Sequence, residues 1–145
     1  RRFLYEQCRN VLPIQGYGRA FDREVKNHNC SSFTKRQLLR DFQFSFCPEN
    51  ALYPGYYTEK IPEAFICGTI PIGYADQHVS SDFNPGAFIN LADFLPDGVE
   101  KGLLEVLHSA ERMQALRTTP LRSTMVDIEG LRSFLQKVLD AAFSS

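Results

Sequence analysis

Residues 42–74 have the sequence FQFSFCPENALYPGYYTEKIPEAFICGTIPIGY, which carries the clearest signals of the fold class. Its first five residues alternate phenylalanine with polar residues, a period of two that predicts a strand ended by Pro48. A helix is predicted from Thr58, the expected N-cap, to about Cys67, and Gly68 is placed to end it. The apolar run TIPIGY then predicts a second strand. Strand, helix and strand in this order are typical of α/β proteins with parallel strands.

The flanking sequence continues the alternation of helices and strands. Helix formers occupy residues 1–9, a short basic helix is predicted over residues 34–41, and AFINL at residues 87–91 predicts a third strand. Together these elements predict an α/β fold around a mostly parallel sheet. Ligands of such sheets bind beyond the carboxyl ends of the strands.

The last third of the chain is predicted to be helical, with two apolar stripes at helical spacing. Asp97 is a candidate cap for the first helix, with Glu100 three residues later in a capping-box arrangement. Both stripes are expected to face the core. The first consists of Val99, Leu103, Val106, Leu107 and Ala110, and the second of Ile128, Leu131, Leu135, Val138, Leu139 and Ala142.

Composition narrows the class of protein. A chain of 145 residues, 43% of them hydrophobic, suits one domain, and its formal net charge of −1 lacks the footprint of a general nucleic-acid binder. The longest mostly apolar stretch, residues 64–75, is shorter than the about 20 residues of a membrane helix. The four cysteines show no C-x-x-C spacing, so neither a disulfide framework nor a zinc site is expected. Because the chain begins at Arg1 without a methionine, we expect it to be cut from a longer protein.

Residues 48–60 (PENALYPGYYTEK) follow the first strand and carry the side chains most typical of a ligand site. Glu59 and Lys60 fall in the predicted first helical turn, where free N–H groups and the helix dipole attract an anion such as phosphate. Lys60 adds a positive charge for a phosphate oxygen, whereas Glu59 suits hydrogen bonds from sugar hydroxyls, as acidic residues do for ribose in dinucleotide folds. This pair predicts a nucleotide-sugar site. The alternative is an ordinary polar loop that leads into a capped helix.

Other polar residues are assigned structural roles. The three histidines are scattered and are predicted to be solvated or hydrogen-bonded rather than catalytic. Cys47, beside the candidate site, is predicted to be a buried apolar side chain and not a nucleophile. Lys35, Arg36 and Arg40 are predicted to form a solvated helix face, with contact to guanine or phosphate as the alternative.

Residues 44–72 (FSFCPENALYPGYYTEKIPEAFICGTIPI) resemble the donor-binding signature of the α-1,3-fucosyltransferase family. That signature runs strand, F-E-N, short loop, Y-x-T-E-K, helix, and a T-I-P-I or V-P-V strand. Residues 82–94 (DFNPGAFINLADF) are similar to the family's D-F-N-P-x-S-F-I-N segment, and GYGR at residues 16–19 is similar to its Y-G-R loop. The resemblance covers residues 1–116. This sequence departs from the pattern at Pro48, where the family has phenylalanine, and at residues 73–76 (GYAD), where the family has a Trp-Gly or Leu-Gly pair.

The resemblance implies an enzyme, an inverting GDP-fucose-dependent glycosyltransferase of the two-domain GT-B type. Residues 1–145 would form its C-terminal, Rossmann-like donor-binding domain with C-terminal helices. Neither a cofactor nor a metal is implied, and the sequence has no D-x-D motif. The glycan acceptor would bind through a missing N-terminal domain that also supplies the catalytic base, so no catalytic residue is assigned in this chain.

The resemblance also implies roles for individual residues. Glu59 would hold the ribose hydroxyls, Lys60 would hold the pyrophosphate, and Arg1 stands where the family has an arginine near the pyrophosphate. The predicted donor pocket as a whole consists of Glu59, Lys60, Tyr56, Asn50, Glu49 and Arg1.

Two other functions stay open at this point. One is a non-catalytic nucleotide-sugar-binding module that kept the pocket, and the other is a GT-B transferase with a different donor sugar. No nucleic-acid partner is expected, and membrane association is not visible in this chain. The cysteine pattern favours a bacterial cytoplasmic location over the Golgi lumen.

Overall fold

Three short parallel strands form the sheet of the computed structural model, in the order β1 (Phe44–Phe46), β2 (Ile70–Gly73) and β3 (Ile89–Asn90). Phe44 pairs with Ile70, and Ile72 pairs with Ile89. The structure describes residues 1–17, 32–95, 98–122, 124 and 127–143, without the side chains of residues 32–34. The predicted α/β fold with a parallel sheet is confirmed.

Seven α-helices accompany the sheet in the described part of the chain. They are α1 (Arg2–Arg9), α2 (Ser32–Leu39), α3 (Lys60–Ile66), α4 (Val79–Asp82), α5 (Val99–His108), α6 (Ala110–Thr118) and α7 (Ile128–Phe143). Short 3-10 turns cover Pro85–Ala87 and Leu91–Phe94. None of the helices in these ranges is both long and apolar enough to cross a membrane.

The connection from β1 to β2 through α3 positions the loop of interest. All four residues of β2 are buried, and α3 packs on them through Ile61 and Ala64. A Cβ added at Gly73 would lie 3.1 Å from Ile61 Cδ1, so glycine allows this close approach. The chain leaves α3 through Gly68 at φ 83°, a left-handed conformation that glycine adopts readily, as the sequence predicts.

The main core lies between the sheet and helices α1, α5 and α6. The first apolar stripe contributes Val99, Leu103 and Val106 to it, which confirms that part of the prediction. The helix ends at His108 rather than Ala110, because Ser109 has an extended conformation and its hydroxyl caps α6 by accepting from Arg112 N at 3.2 Å. The predicted cap Asp97 lies outside the described residues.

The second apolar stripe does not face the core, and that prediction is wrong. Helix α7 has no buried residue, and Leu135 on its apolar face is 50% exposed. The physical reason is that helical periodicity defines which residues share a face, but it does not specify a partner for that face. Within the described residues nothing buries it.

Candidate functional site

A cavity of about 900 Å³ opens at the carboxyl end of β1, where α1, α2 and α3 meet. Five cationic side chains and two carboxylates line it, so its lining carries a net positive charge. The lining consists of Arg1, Arg2, Tyr5, Glu6, Arg9, Lys35, Leu39, Ser45, Phe46, Cys47, Pro48, Glu59, Lys60 and Ala64. A positively charged concavity of this size suits an anionic small molecule.

Helix α1 supplies one wall of the cavity. Arg2, Tyr5, Glu6 and Arg9 line it at spacings of i, i+3, i+4 and i+7, while Leu4 and Cys8 are buried in the core. The Tyr5 ring meets Phe46 edge-on, with ring centroids 6.2 Å apart. No function was predicted for these α1 residues from the sequence. Their polar spacing, opposite an apolar pair, was the signal that could have identified them.

Lys60 is held at the cavity by a buried carboxylate. Its Nζ atom donates to Glu49 Oε2 at 2.5 Å; the Lys60 side chain is 22% exposed and that of Glu49 only 1%. Glu49 Oε1 accepts from the backbone N–H and the hydroxyl of Thr58, both at 2.8 Å. Burial would raise the pKa of Glu49, but the hydrogen bonds from Lys60 and Thr58 outweigh it, so the pKa lies below its ordinary value.

These bonds change the start of α3 from the one predicted. Thr58 is not the N-cap, because α3 begins only at Lys60; the Thr58 N–H and hydroxyl both donate to Glu49 Oε1. Glu59 holds the N-cap position without a side-chain cap bond, and Lys60 is the first helical residue. Because α3 has only seven residues, the charge of the site comes mainly from its side chains rather than from a helix dipole.

The loop between β1 and α3 is tied to the end of β2. Glu49 N donates to Tyr74 O at 3.1 Å, and Gly55 N donates to Asp76 Oδ1 at 3.0 Å. The Gly55 bond, with bonds from His78, lowers the pKa of Asp76 to about 2. These contacts fix the backbone from which Glu59 and Lys60 project.

Cys47 lines the cavity but has the properties of an inert thiol. Burial, with the nearby Glu49 charge, raises the pKa of the Cys47 thiol to about 12. The thiol therefore stays protonated at neutral pH. This agrees with the prediction that Cys47 is not a nucleophile.

The structure brings together some of the predicted site residues. Glu59, Lys60 and Arg1 line the cavity, and Glu49 lies behind Lys60. Asn50 is exposed, and neither it nor Tyr56 is among the cavity-lining residues.

Two predictions concern residues outside this set. Lys35 and Arg36, predicted to form a solvated helix face, are both exposed, and both pair with Glu63 of α3. Lys35 also lines the cavity, and its alternative role as a ligand contact stays a prediction. Of the predicted GYGR loop, residues 18 and 19 lie outside the described residues.

Comparison with known proteins identifies the family. The family model described as glycosyltransferase family 10 (fucosyltransferase), C-terminal part, matches residues 1–115. The chain belongs to glycosyltransferase family 10. This confirms the resemblance of residues 1–116 to fucosyltransferases, with nearly the same boundary.

Individual relatives agree with the family assignment. The chain is 35% identical over 94 residues to the α-(1,3)-fucosyltransferase FucT of Helicobacter pylori, a match covering 65% of this chain and 19% of that protein. It is 28% identical over 105 residues to mouse 4-galactosyl-N-acetylglucosaminide 3-alpha-L-fucosyltransferase 9, covering 70% of this chain and 28% of the relative. The chain therefore spans less than a third of either relative.

A solved structure supports the fold. An α1,3-fucosyltransferase with GDP-fucose superposes with a TM-score of 0.76 at 22% identity, covering 96% of this chain and 43% of that one. This likeness shows a shared α/β fold that extends through almost the whole chain, in agreement with the fold class predicted from the sequence.

Proposed function

We propose that this chain is the donor-binding part of an inverting α-1,3-fucosyltransferase that uses GDP-fucose. The observation that carries the proposal is the placement of Lys60 and Glu59 side by side on a cationic cavity, with a buried carboxylate holding Lys60. Family membership and the names of the relatives support the same activity. The chain covers only part of each relative, so we propose that a further domain of the enzyme binds the glycan acceptor.

In the proposed reaction, this chain binds the donor and the further domain binds the acceptor. An acceptor hydroxyl attacks the anomeric carbon of fucose as its bond to GDP breaks on the opposite face, which inverts the configuration. Negative charge develops on the leaving diphosphate, and Lys60 and Arg1 stabilise it electrostatically. Glu59 accepts hydrogen bonds from the ribose hydroxyls. The base that removes the acceptor proton belongs to the other domain, and no resident cofactor or metal is part of the proposal.

Asn50 and Tyr56 stay predicted donor contacts. Tyr56 packs edge-on against Tyr53, with ring centroids 6.3 Å apart, in the loop before Glu59. They lie on the segment that carries the cavity residues Glu59 and Lys60, so we propose that they contact the sugar end of the donor.

We propose the bacterial cytoplasm as the location, with the Golgi lumen as the alternative. Identity to the bacterial relative is higher than to the mouse one. The three cysteines described by the structure, Cys8, Cys47 and Cys67, are free thiols, as expected in a reducing compartment.

Thermal unfolding with GDP-fucose, GDP, GDP-mannose and UDP tests the proposal. A ligand at 100 times its Kd adds about 2.7 kcal/mol of stability, which raises Tm by roughly 5–10 °C for a domain of this size. We expect a shift with the GDP compounds, largest for GDP-fucose, and none with UDP. A larger shift with GDP-mannose than with GDP-fucose would indicate another donor sugar. If neither the chain nor the enzyme that contains it responds to any guanine nucleotide, the proposal is wrong.

A transfer assay separates an enzyme from a non-catalytic binding module. In the complete enzyme, Lys60→Ala is expected to reduce fucose transfer by at least tenfold, because it removes a charge that stabilises the leaving diphosphate. Binding of GDP-fucose without any transfer in the complete protein would favour the non-catalytic module.

A further inference from the structure

Glu49 is a charged side chain that the protein buries next to the cavity without exposing it to a ligand. It is 1% exposed on its side chain and is absent from the cavity lining. A buried carboxylate is unfavourable unless its charge is matched and its oxygens are hydrogen-bonded. Here Lys60 matches the charge, and Thr58 and Lys60 together occupy both oxygens. Both oxygens of Glu49 therefore bond to the protein itself, and Glu49 does not line the cavity.

The main effect of this arrangement is to restrict the position of the Lys60 ammonium. A lysine ammonium sits on a flexible four-carbon stem and carries three donors, so by itself it samples many positions. The bond to Glu49 fixes one of these donors from behind, and the Lys60 side chain reaches the cavity, where the remaining donors can meet an anion. Among the described residues, Glu49 is the acceptor that the structure shows for Lys60.

Backbone hydrogen bonds also help to fix the position of Lys60. Glu49 N is anchored to Tyr74 O at the end of β2, and its carboxylate accepts the N–H of Thr58, two residues before Lys60. One side chain thus fixes both the ammonium of Lys60 and the backbone from which Lys60 projects. The sheet, through Glu49, sets the position of the cation.

We propose that Glu49 is a positioning residue that holds the Lys60 ammonium toward the donor diphosphate and acts on the donor only through Lys60. This inference rests on the proposed function and replaces the direct donor contact predicted for Glu49 from the sequence.

A double-mutant cycle on GDP affinity tests the inference, with Kd measured by calorimetry for wild type, Glu49→Gln, Lys60→Met and the double variant. In Glu49→Gln the amide must turn its NH₂ group toward either the Lys60 ammonium or the Thr58 N–H, so a donor faces a donor either way. We expect Glu49→Gln to weaken GDP binding about tenfold when Lys60 is present and less than about twofold in Lys60→Met. Glu105→Gln, on the exposed face of α5, is the matched control and leaves the Kd unchanged.

The outcomes separate this inference from the proposed function. Equal weakening by Glu49→Gln in both backgrounds would mean a direct donor contact or general damage, and tighter GDP binding would mean that Glu49 only repels the diphosphate. Either result overturns the inference while the site stands. No GDP binding by wild type overturns the proposed function itself. If Glu49→Gln does not fold, the same cycle is run with Glu49→Asp, which keeps the charge but withdraws it from Lys60.

Discussion

Replacing Lys60 by methionine should destabilise the fold in a way that depends on pH. At neutral pH the variant leaves the Glu49 carboxylate ionised and buried, with Thr58 as its remaining partner in the network. A hydrogen bond between charged groups contributes about 1.5–3 kcal/mol, and removing one partner of a fully buried ion pair costs about 3–5 kcal/mol. Because the Lys60 side chain is 22% exposed, the pair is not fully buried. We therefore expect the unfolding free energy to fall by about 2–3 kcal/mol, near the point where the two ranges meet.

The sign of the pH dependence follows from the pKa of Glu49. In the wild type this pKa is lowered, so the carboxylate contributes stability above its unfolded pKa and loses it as the pH falls through the folded value. In Lys60→Met, the charge and hydrogen bond of Lys60 no longer oppose the effect of burial, so the pKa of Glu49 rises. The variant then loses its unfavourable buried charge when Glu49 takes up a proton as the pH falls. The difference in unfolding free energy between the two proteins is therefore largest at pH 7 and shrinks toward pH 4.

Urea denaturation at several pH values between 4 and 7 measures this difference. The variant Glu49→Gln/Lys60→Met is the control. It has no carboxylate at residue 49, so at pH 7 its unfolding free energy should exceed that of Lys60→Met, and this difference should also shrink at low pH. If the wild type is more stable than Lys60→Met by the same amount at pH 4 and pH 7, the ion pair between Lys60 and Glu49 is not the source of that stability.

Three further predictions concern packing and reactivity. Leu103→Ala should cost about 2–5 kcal/mol in urea denaturation because Leu103 is fully buried, whereas Leu135→Ala on exposed α7 should cost under about 1 kcal/mol; equal losses would show that α7 packs in the core. Cys47 should resist iodoacetamide at pH 8 in the folded chain and react after unfolding, because its pKa is about 12, and rapid native alkylation followed by mass spectrometry would contradict this. Gly68→Ala should lower the unfolding free energy by about 1–2 kcal/mol, because φ is 83° with open space around the added Cβ, and no change in the denaturation midpoint would contradict that strain.

The fold was predictable where local chemistry determines local structure. Alternating phenylalanines identified β1, and a glycine after the apolar helix residues identified the end of α3. The prediction of Thr58 as the N-cap was wrong because α3 begins at Lys60 and the Thr58 N–H and hydroxyl donate to Glu49, 9 residues earlier in the sequence; a local capping rule does not include such a partner. The prediction that the apolar stripe of α7 faces the core was wrong for a related reason: an amphipathic pattern does not identify which surface, if any, packs against it.

The site was predictable only in part. Glu59 and Lys60 stand together in the sequence, so spacing alone placed them at one point of the fold. The wall formed by α1 comes from a segment about 50 residues away, and only the packing of α1 beside β1 brings Arg2 and Arg9 to the same cavity. The role of Glu49 needed its burial and its bonds, neither of which a sequence shows.

A crystal structure of the chain, or of the enzyme that contains it, with GDP-fucose would show whether the donor binds at Glu59 and Lys60. We expect the diphosphate within hydrogen-bond distance of Lys60 Nζ, the ribose hydroxyls at the carboxylate of Glu59, and Glu49 still bonded to Lys60 and not to the ligand. A nucleotide bound away from this cavity, or bound in it without contact to either Glu59 or Lys60, would contradict the account.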